Sequence, residues 1–598
     1  MKNAFILTLL LFAFCIPAKA QFLWVGFGGD WNDPTNWFDL GAGGPAVTPP
    51  GDGDDVIFEA SGGDCVINTN VGTRTAAFIM DVSYGGNITN AGGFTVGGSD
   101  LMLSGGVFDN TGGGAFTFTN ITADGGTMQF GSTSSVTVTD LSLSAGSLHG
   151  GTVSNMTING QLNISGGTFT CPSGTLTLSN SGSSLLDFSG GTFTHNSGTV
   201  LLDLDNNKQI SSGVTFRNLT LRNTAASVFS IDLGSGTTTV TGSLNFTVTN
   251  VAGSISLTGG GSLNVTGSMT VASHAGSGTP SHNCTISFTA SSGTSTITGN
   301  ASSPILARAK LPSIRINQSG SATLSMTSNI NVQGNWTYNG TTTVTPGSST
   351  VTFFGSSRTI SGTGTMTFNN LGIGAGTGVG TGSVTLSRPV NVNANLTIPN
   401  TCSFTTTNNN VSVTGNTTIS SGGTLTTSGN TFSAGGNFSN GGTLTPGNAI
   451  FRLTGSATQS IDFRSSVAMT IHTLNCAKSS GTASISDAIS ISNSLTCTGG
   501  TLNTGGNVTL LSTGAGTSAQ VGNSTGGTYS GTATIQRFIP SVGRRWRFLA
   551  APVLSGSTIS TSWQTQMFIT GPGTGTGPVG TSNFNSNGFD WTNGNNPT

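Results

Sequence analysis

A short apolar-polar-apolar triplet recurs in this chain at a nearly fixed step. Leu101-Met102-Leu103, Ile121-Thr122-Ala123, Leu141-Ser142-Leu143 and Leu162-Asn163-Ile164 begin 20, 20 and 21 residues apart. Alternation with a period of two places the apolar side chains on one face of a strand. A chain that repeats such a strand at this interval cannot bury it within one repeat. It must stack repeats so that each covers its neighbour. Gly-Gly pairs at Gly105-Gly106, Gly125-Gly126, Gly150-Gly151 and Gly166-Gly167 supply turn residues between the triplets. Further Gly-Gly-Thr-Leu phrases begin at Gly422, Gly441 and Gly499. The pattern predicts an all-β chain, a parallel β-helix or solenoid with coils of about 20 residues. Its strands should be three to five residues long and step by about 19 to 24 residues. Antiparallel hairpins would instead indicate a string of β-sandwich domains.

A longer duplication overlies the short one. Gly334-Asn335-Trp336 and Thr345-Pro346-Gly347 match Gly436-Asn437-Phe438 and Thr445-Pro446-Gly447, with the two Thr-Pro-Gly turns 100 residues apart. The expectation is that units of several coils were duplicated.

The ends differ from the middle. Residues 1–20 read as a secretory signal: Lys2, an apolar run from Phe5 to Ile16, then Ala18-Lys19-Ala20 before Gln21. Residues 21–80 hold Trp24, Trp31 and Trp37 with a cluster of acids, and read as an N-terminal cap. Residues 81–530 are the repeats. Residues 531–598 carry Arg537, Arg544, Arg545 and Arg547 with Trp546, Trp563 and Trp591, and read as a separate β-rich segment.

Charge narrows the functional classes. Charged residues make up 6% of the chain, against about 25% in ordinary globular proteins. No Asp or Glu occurs between Asp232 and Asp462, and Glu59 is the only glutamate of the chain. Most hydrolytic and lyase mechanisms use a carboxylate as acid, base, nucleophile or metal ligand. The middle cannot run that chemistry on its own residues. A carbohydrate-active β-helix would have to draw on Asp187, Asp203, Asp205 and Asp232. No run of 18 apolar residues follows the leader, so no transmembrane helix is expected. The overall charge of −2 offers nothing to nucleic acid.

Few residues suggest sites. Asp52, Asp54 and Asp55 could present oxygens to calcium, or simply form a polar turn before the strand Val56 to Phe58. His274, His282 and Cys284 lack a fourth zinc ligand and read as exposed loop residues. The four C-terminal arginines could touch an acidic glycan, or lie as a solvated face over apolar rings. Thr237 to Thr241, Thr341 to Thr345 and Val136 to Thr139 are too scattered to form a threonine array. Leu474-Asn475-Cys476 and Leu495-Thr496-Cys497 repeat one frame 21 residues apart. That spacing places Cys476 and Cys497 on successive coils, about 4.8 Å apart, as a disulfide candidate.

Trp24-Val25-Gly26-Phe27-Gly28-Gly29-Asp30-Trp31, Asn36-Trp37 and Asp54 to Phe58 resemble the opening module of large secreted surface proteins of the Bacteroidota. The Gly334-Asn-Trp phrase, Gly499 to Gly506, and Ile535-Gln-Arg-Phe-Ile-Pro540 leading to Arg545-Trp-Arg-Phe-Leu549 are similar to the same group. The resemblance implies adhesin-like β-helix proteins carried by type IX secretion. Such proteins finish in a small sorting domain, of which no copy precedes Thr598. The expectation is that this sequence is a fragment of a longer protein.

The reading is a secreted or cell-surface structural solenoid, non-catalytic, delivered through the outer membrane. Its expected partners are an extracellular glycan or a host or neighbouring cell surface, with the secretion machinery during export. The alternatives are a polysaccharide-binding module and a β-helix polysaccharide lyase or hydrolase. No cofactor is expected beyond the calcium candidate.

Overall fold

The computed structural model describes residues 20–538 apart from 72–75, 133, 181, 183, 301–307, 375–380, 464–468, 515 and 523. The leader and most of the C-terminal segment, including Arg544, Arg545, Trp546, Arg547, Trp563 and Trp591, lie outside these residues. The described residues from 20 to 537 form one compact unit, a parallel β-solenoid of about 21 turns.

Each turn contributes three short strands, and each strand pairs in parallel with its equivalent one turn on. On the first face, Leu396–Ile398, Thr417–Ile419 and Phe438–Asn440 stack in register. The second face stacks Ser403–Thr405, Thr424–Thr426 and Thr443–Thr445. The third stacks Val411–Val413, Thr431–Ala434 and Ile450–Leu453. Alternation sorts the side chains. Phe404, Leu425 and Leu444, like Val411, Val413, Phe432 and Phe451, point inward and are buried. Each such side chain contributes about 1.5–3 kcal/mol by leaving water. Outward positions carry hydroxyls: Thr359, Thr385, Thr405, Thr426 and Thr445 are partners over consecutive turns. The threonine runs noted in the sequence do not make this column. Thr237 and Thr239, for example, meet Ser262 and Asn264.

Among the described residues, antiparallel pairing between strands is confined to the N-terminal edge. There Trp37–Asp39 pairs with Gln21–Trp24 and with Gly44–Pro45. Gln21–Trp24 also pairs in parallel with Asp55–Phe58, so the solenoid sheet already runs through the tryptophan-rich region. Trp24, Trp31 and Trp37 are buried, with Trp37 4.8 Å from Trp31 and 5.0 Å from Trp24 between ring centroids. Their indoles are satisfied by backbone: Trp24 Nε1 donates to Gly63 O and Trp37 Nε1 to Trp31 O. Among the described residues the only helical element is the 3-10 turn Pro34–Asn36.

Three expectations need correction. The step varies more than the sequence pattern implies. Leu425 meets Leu444 one turn on, whereas Ile297 meets Met326, a step well beyond the expected range. The longer turns spend their extra residues on loops over the outer surface. Ser281 N–H donates to Ser256 Oγ, and Ser254 and Ser256, which belong to a strand of the first face, are buried. Strands are also longer than expected where pairing continues round a corner, as in Gly114–Phe130 and Met469–Ile485.

The third correction concerns the longer duplication. Trp336–Tyr338, Thr343–Thr345 and Thr350–Phe353 occupy the second, third and first faces, whereas Phe438–Asn440, Thr443–Thr445 and Ile450–Leu453 occupy the first, second and third. The duplicated phrases are therefore displaced by one face, and no whole number of turns separates them. What they share is a corner. Ser349 N–H donates to Pro346 O and Ala449 N–H to Pro446 O, both at 3.2 Å, with Gly347 and Gly447 at φ 54° and 52°. A left-handed φ at a tight corner suits glycine.

Candidate functional site

The acidic candidates have structural work. Asp203 grips Arg222 through both oxygens, at 2.8 and 2.5 Å, across one turn of the third face. This ion pair holds the Arg222 guanidinium above its ordinary range, first through the hydrogen bond to Asp203. Asp205 pairs with Lys208 at 2.6 Å, and Lys208 Nζ also donates to Asn180 O and Gly182 O. Asp187 accepts from Ser211 Oγ and Asp232 from Gly234 N–H. Each of these four carboxylates is engaged by a local partner of its own.

In the N-terminal turn, Asp54 Oδ2 accepts Gly51 N–H at 2.8 Å, closing the loop before the strand. Asp55 Oδ1 accepts Ala77 N–H at 2.9 Å, one turn on. Asp52 is exposed. Two of the three calcium candidates thus carry backbone hydrogen bonds. Among the described residues no three His, Cys, Asp or Glu side chains converge as a metal site.

The histidines contradict the reading of exposed loop residues. His274 and Cys284 are buried and His282 is half-buried. His282 Nδ1 accepts Leu257 N–H at 3.0 Å and Nε2 donates to Lys310 O at 3.0 Å, so the neutral ring bridges neighbouring turns. Cys284 Sγ–H points at Thr258 O. Burial pushes both imidazoles down to about 4. Glycine, serine and asparagine around these residues gave the sequence a loop character. Those loops fold back onto the barrel.

Cys476 and Cys497 are register partners on the third face and fully buried. The sulfurs are not bonded, and all six described cysteines are buried free thiols. Burial, then neighbouring Cys497, pushes the Cys476 thiol up to about 12. Beside them lies a group that sequence reasoning missed. Lys478 is 2% exposed, and its ammonium donates to Gln459 Oε1 at 2.9 Å and Thr454 O at 3.2 Å. Burial depresses its pKa. Gln459 in turn donates to Ala434 O and Gly436 O, so this polar network ties successive turns together. No sequence signal distinguishes Lys478 from a solvated lysine.

Comparison with protein families, curated proteins and solved structures finds no match for this chain.

Proposed function

We propose that this chain is a secreted or cell-surface structural solenoid, non-catalytic, acting as a stalk or adhesin-like module. The observation that carries this reading is its two-sided column architecture. Aliphatic and aromatic columns run inside, while neutral hydroxyl columns such as Thr359 to Thr445 run outside, turn after turn. Such a stack spreads its stability over nearest-neighbour contacts between turns and offers a sparsely charged, hydrogen-bonding exterior. The leader-like residues 1–20 and the resemblance to type IX secretion substrates support export.

Protease shaving of intact producing cells tests the location. The expected result is loss of full-length protein from shaved cells, or its presence in the medium; retention in the cytosol overturns the reading. Reducing-sugar release from plant and algal glycans tests the non-catalytic part, since sustained turnover would establish an enzyme.

A further inference from the structure

The stretch between Asp232 and Asp462 lacks acids but not cations. It holds Arg308, Lys310, Arg315, Arg358, Arg388 and Arg452, a local charge of +6, while the rest of the chain carries 12 basic against 20 acidic groups. Five of the six fall between Arg308 and Arg388.

Two of these cations meet at one place. Lys310 is the register partner of Asn331, and Asn331 of Thr352, on the first face. Leu311, Ile330, Val332, Val351 and Phe353 belong to the core, so alternation turns Lys310, Asn331 and Thr352 outward. The Lys310 ammonium sits over the Phe354 ring, 5.7 Å from its centroid. Arg358 Nε donates to Phe354 O at 3.4 Å, which brings the guanidinium to the same phenylalanine. Lys310 and Arg358 are each half-buried, and no ion pair among the described residues involves either. His282, whose Nε2 holds Lys310 O, stays neutral and does not compete for an anion. Beneath the lysine column, Thr352 is 1% exposed and its hydroxyl has no hydrogen-bond partner. In the next turn the column continues with Gly372, where a Cβ would press against Thr352 Oγ1 at 3.1 Å.

Two half-buried cations on one phenylalanine, without counter-charges among the described residues, make a site for an oxyanion. Arginine and lysine differ in how they hold one: the guanidinium offers a planar fork and the ammonium a point charge. The surrounding exterior is hydroxylated, suited to sugar rings, and its other charges are the cations Arg308, Arg315 and Arg388. We infer that Lys310 and Arg358, set on Phe354, dock an acidic polysaccharide through its sulfate or carboxylate groups. This inference rests on the surface reading above, as the ligand of that module.

The test uses the purified full chain with dextran sulfate as probe and neutral dextran as control. Dextran sulfate should bind and weaken as salt rises, because exposed charges are screened over about 8 Å at physiological ionic strength. Neutral dextran should not bind. Lys310→Gln with Arg358→Gln should weaken dextran sulfate binding by about tenfold or more, with unchanged circular dichroism. Arg358→Lys should keep part of the affinity, since it keeps the charge and loses the fork, and Arg452→Gln, on the third face, should change nothing. Absence of dextran sulfate binding, or binding indifferent to the double substitution, overturns the site. Duplex DNA binding with the same dependence on both residues would replace the polysaccharide by any polyanion and overturn the assignment. Cell shaving reports on location independently, so failure of one reading does not hide failure of the other.

Discussion

The side-chain oxygen of Asn416 accepts the backbone N–H of Asn437, one turn on, at 2.9 Å. Asn395 does the same for Asn416 and Asn437 for Ser460, both at 2.9 Å, while Asn370 serves Asn395 at 3.1 Å. Asn395, Asn416 and Asn437 lie just before strands of the first face and Asn370 opens one, where the turning chain leaves an N–H outside the ladder. Asn335 repeats the device on the second face, accepting Thr359 N–H at 3.0 Å. The Gly-Asn phrase is thus a corner staple between turns. Asn416→Ala should cost about 1 kcal/mol, with Asn416→Asp retaining most of the stability because it keeps the acceptor. Urea midpoints of the two variants check this, and equal midpoints would remove the staple's role.

Acid should weaken the region around His274. Its folded pKa, held near 4 by burial, lies below the unfolded value of about 6.5. Between these values the unfolded chain binds the proton first. Stability is therefore complete above about pH 6.5 and declines as pH falls toward 4, by roughly 3 kcal/mol at most. His282, also held near 4, adds a similar decline over the same range, so His274→Gln should remove about half of it, measured by thermal unfolding across pH.

All six described cysteines are buried thiols, and Cys476 stays protonated far above neutral pH. An aromatic disulfide reagent should leave these six thiols unlabelled in the native protein at pH 7 and modify all six after unfolding. Four thiols would mean that two cysteines are bridged, with Cys476 and Cys497 the first pair to examine. Rapid native labelling would contradict the buried stack.

Trp37 packs between Trp24 and Trp31 and donates to Trp31 O at 2.8 Å. Trp37→Ala should cost about 3–5 kcal/mol, read as lost near-ultraviolet dichroism and a lower unfolding midpoint.

Much of the repeat was legible because inward positions permit little variation. Leu101, Ile121, Leu141 and Leu162 are partners in register, as their spacing predicts. Even so, the turn between Leu141 and Leu162 on that corner is Gly146, at φ 75°, while Gly150-Gly151 serves another corner. The three faces were not legible, since each presents the same alternation and the same corner chemistry. That equivalence also made a duplication shifted by one face look like a duplication of whole turns. The site was less legible than the fold. Lys310 and Arg358 are remote from each other in sequence, and only the stacking of turns brings both to Phe354.

Because successive turns are joined by hydrogen bonds along the stacking direction, tension applied along that direction loads them in series. The ladders resist by peeling, one turn at a time, rather than by sliding whole strands past each other in shear. A turn such as that from Leu396 to Thr417 would release about 70 Å of extended chain for about 4.8 Å of stack lost. Pulled between a cell and its substratum, the protein would lengthen many-fold in small steps at modest force, and dissipate work before the attachment failed.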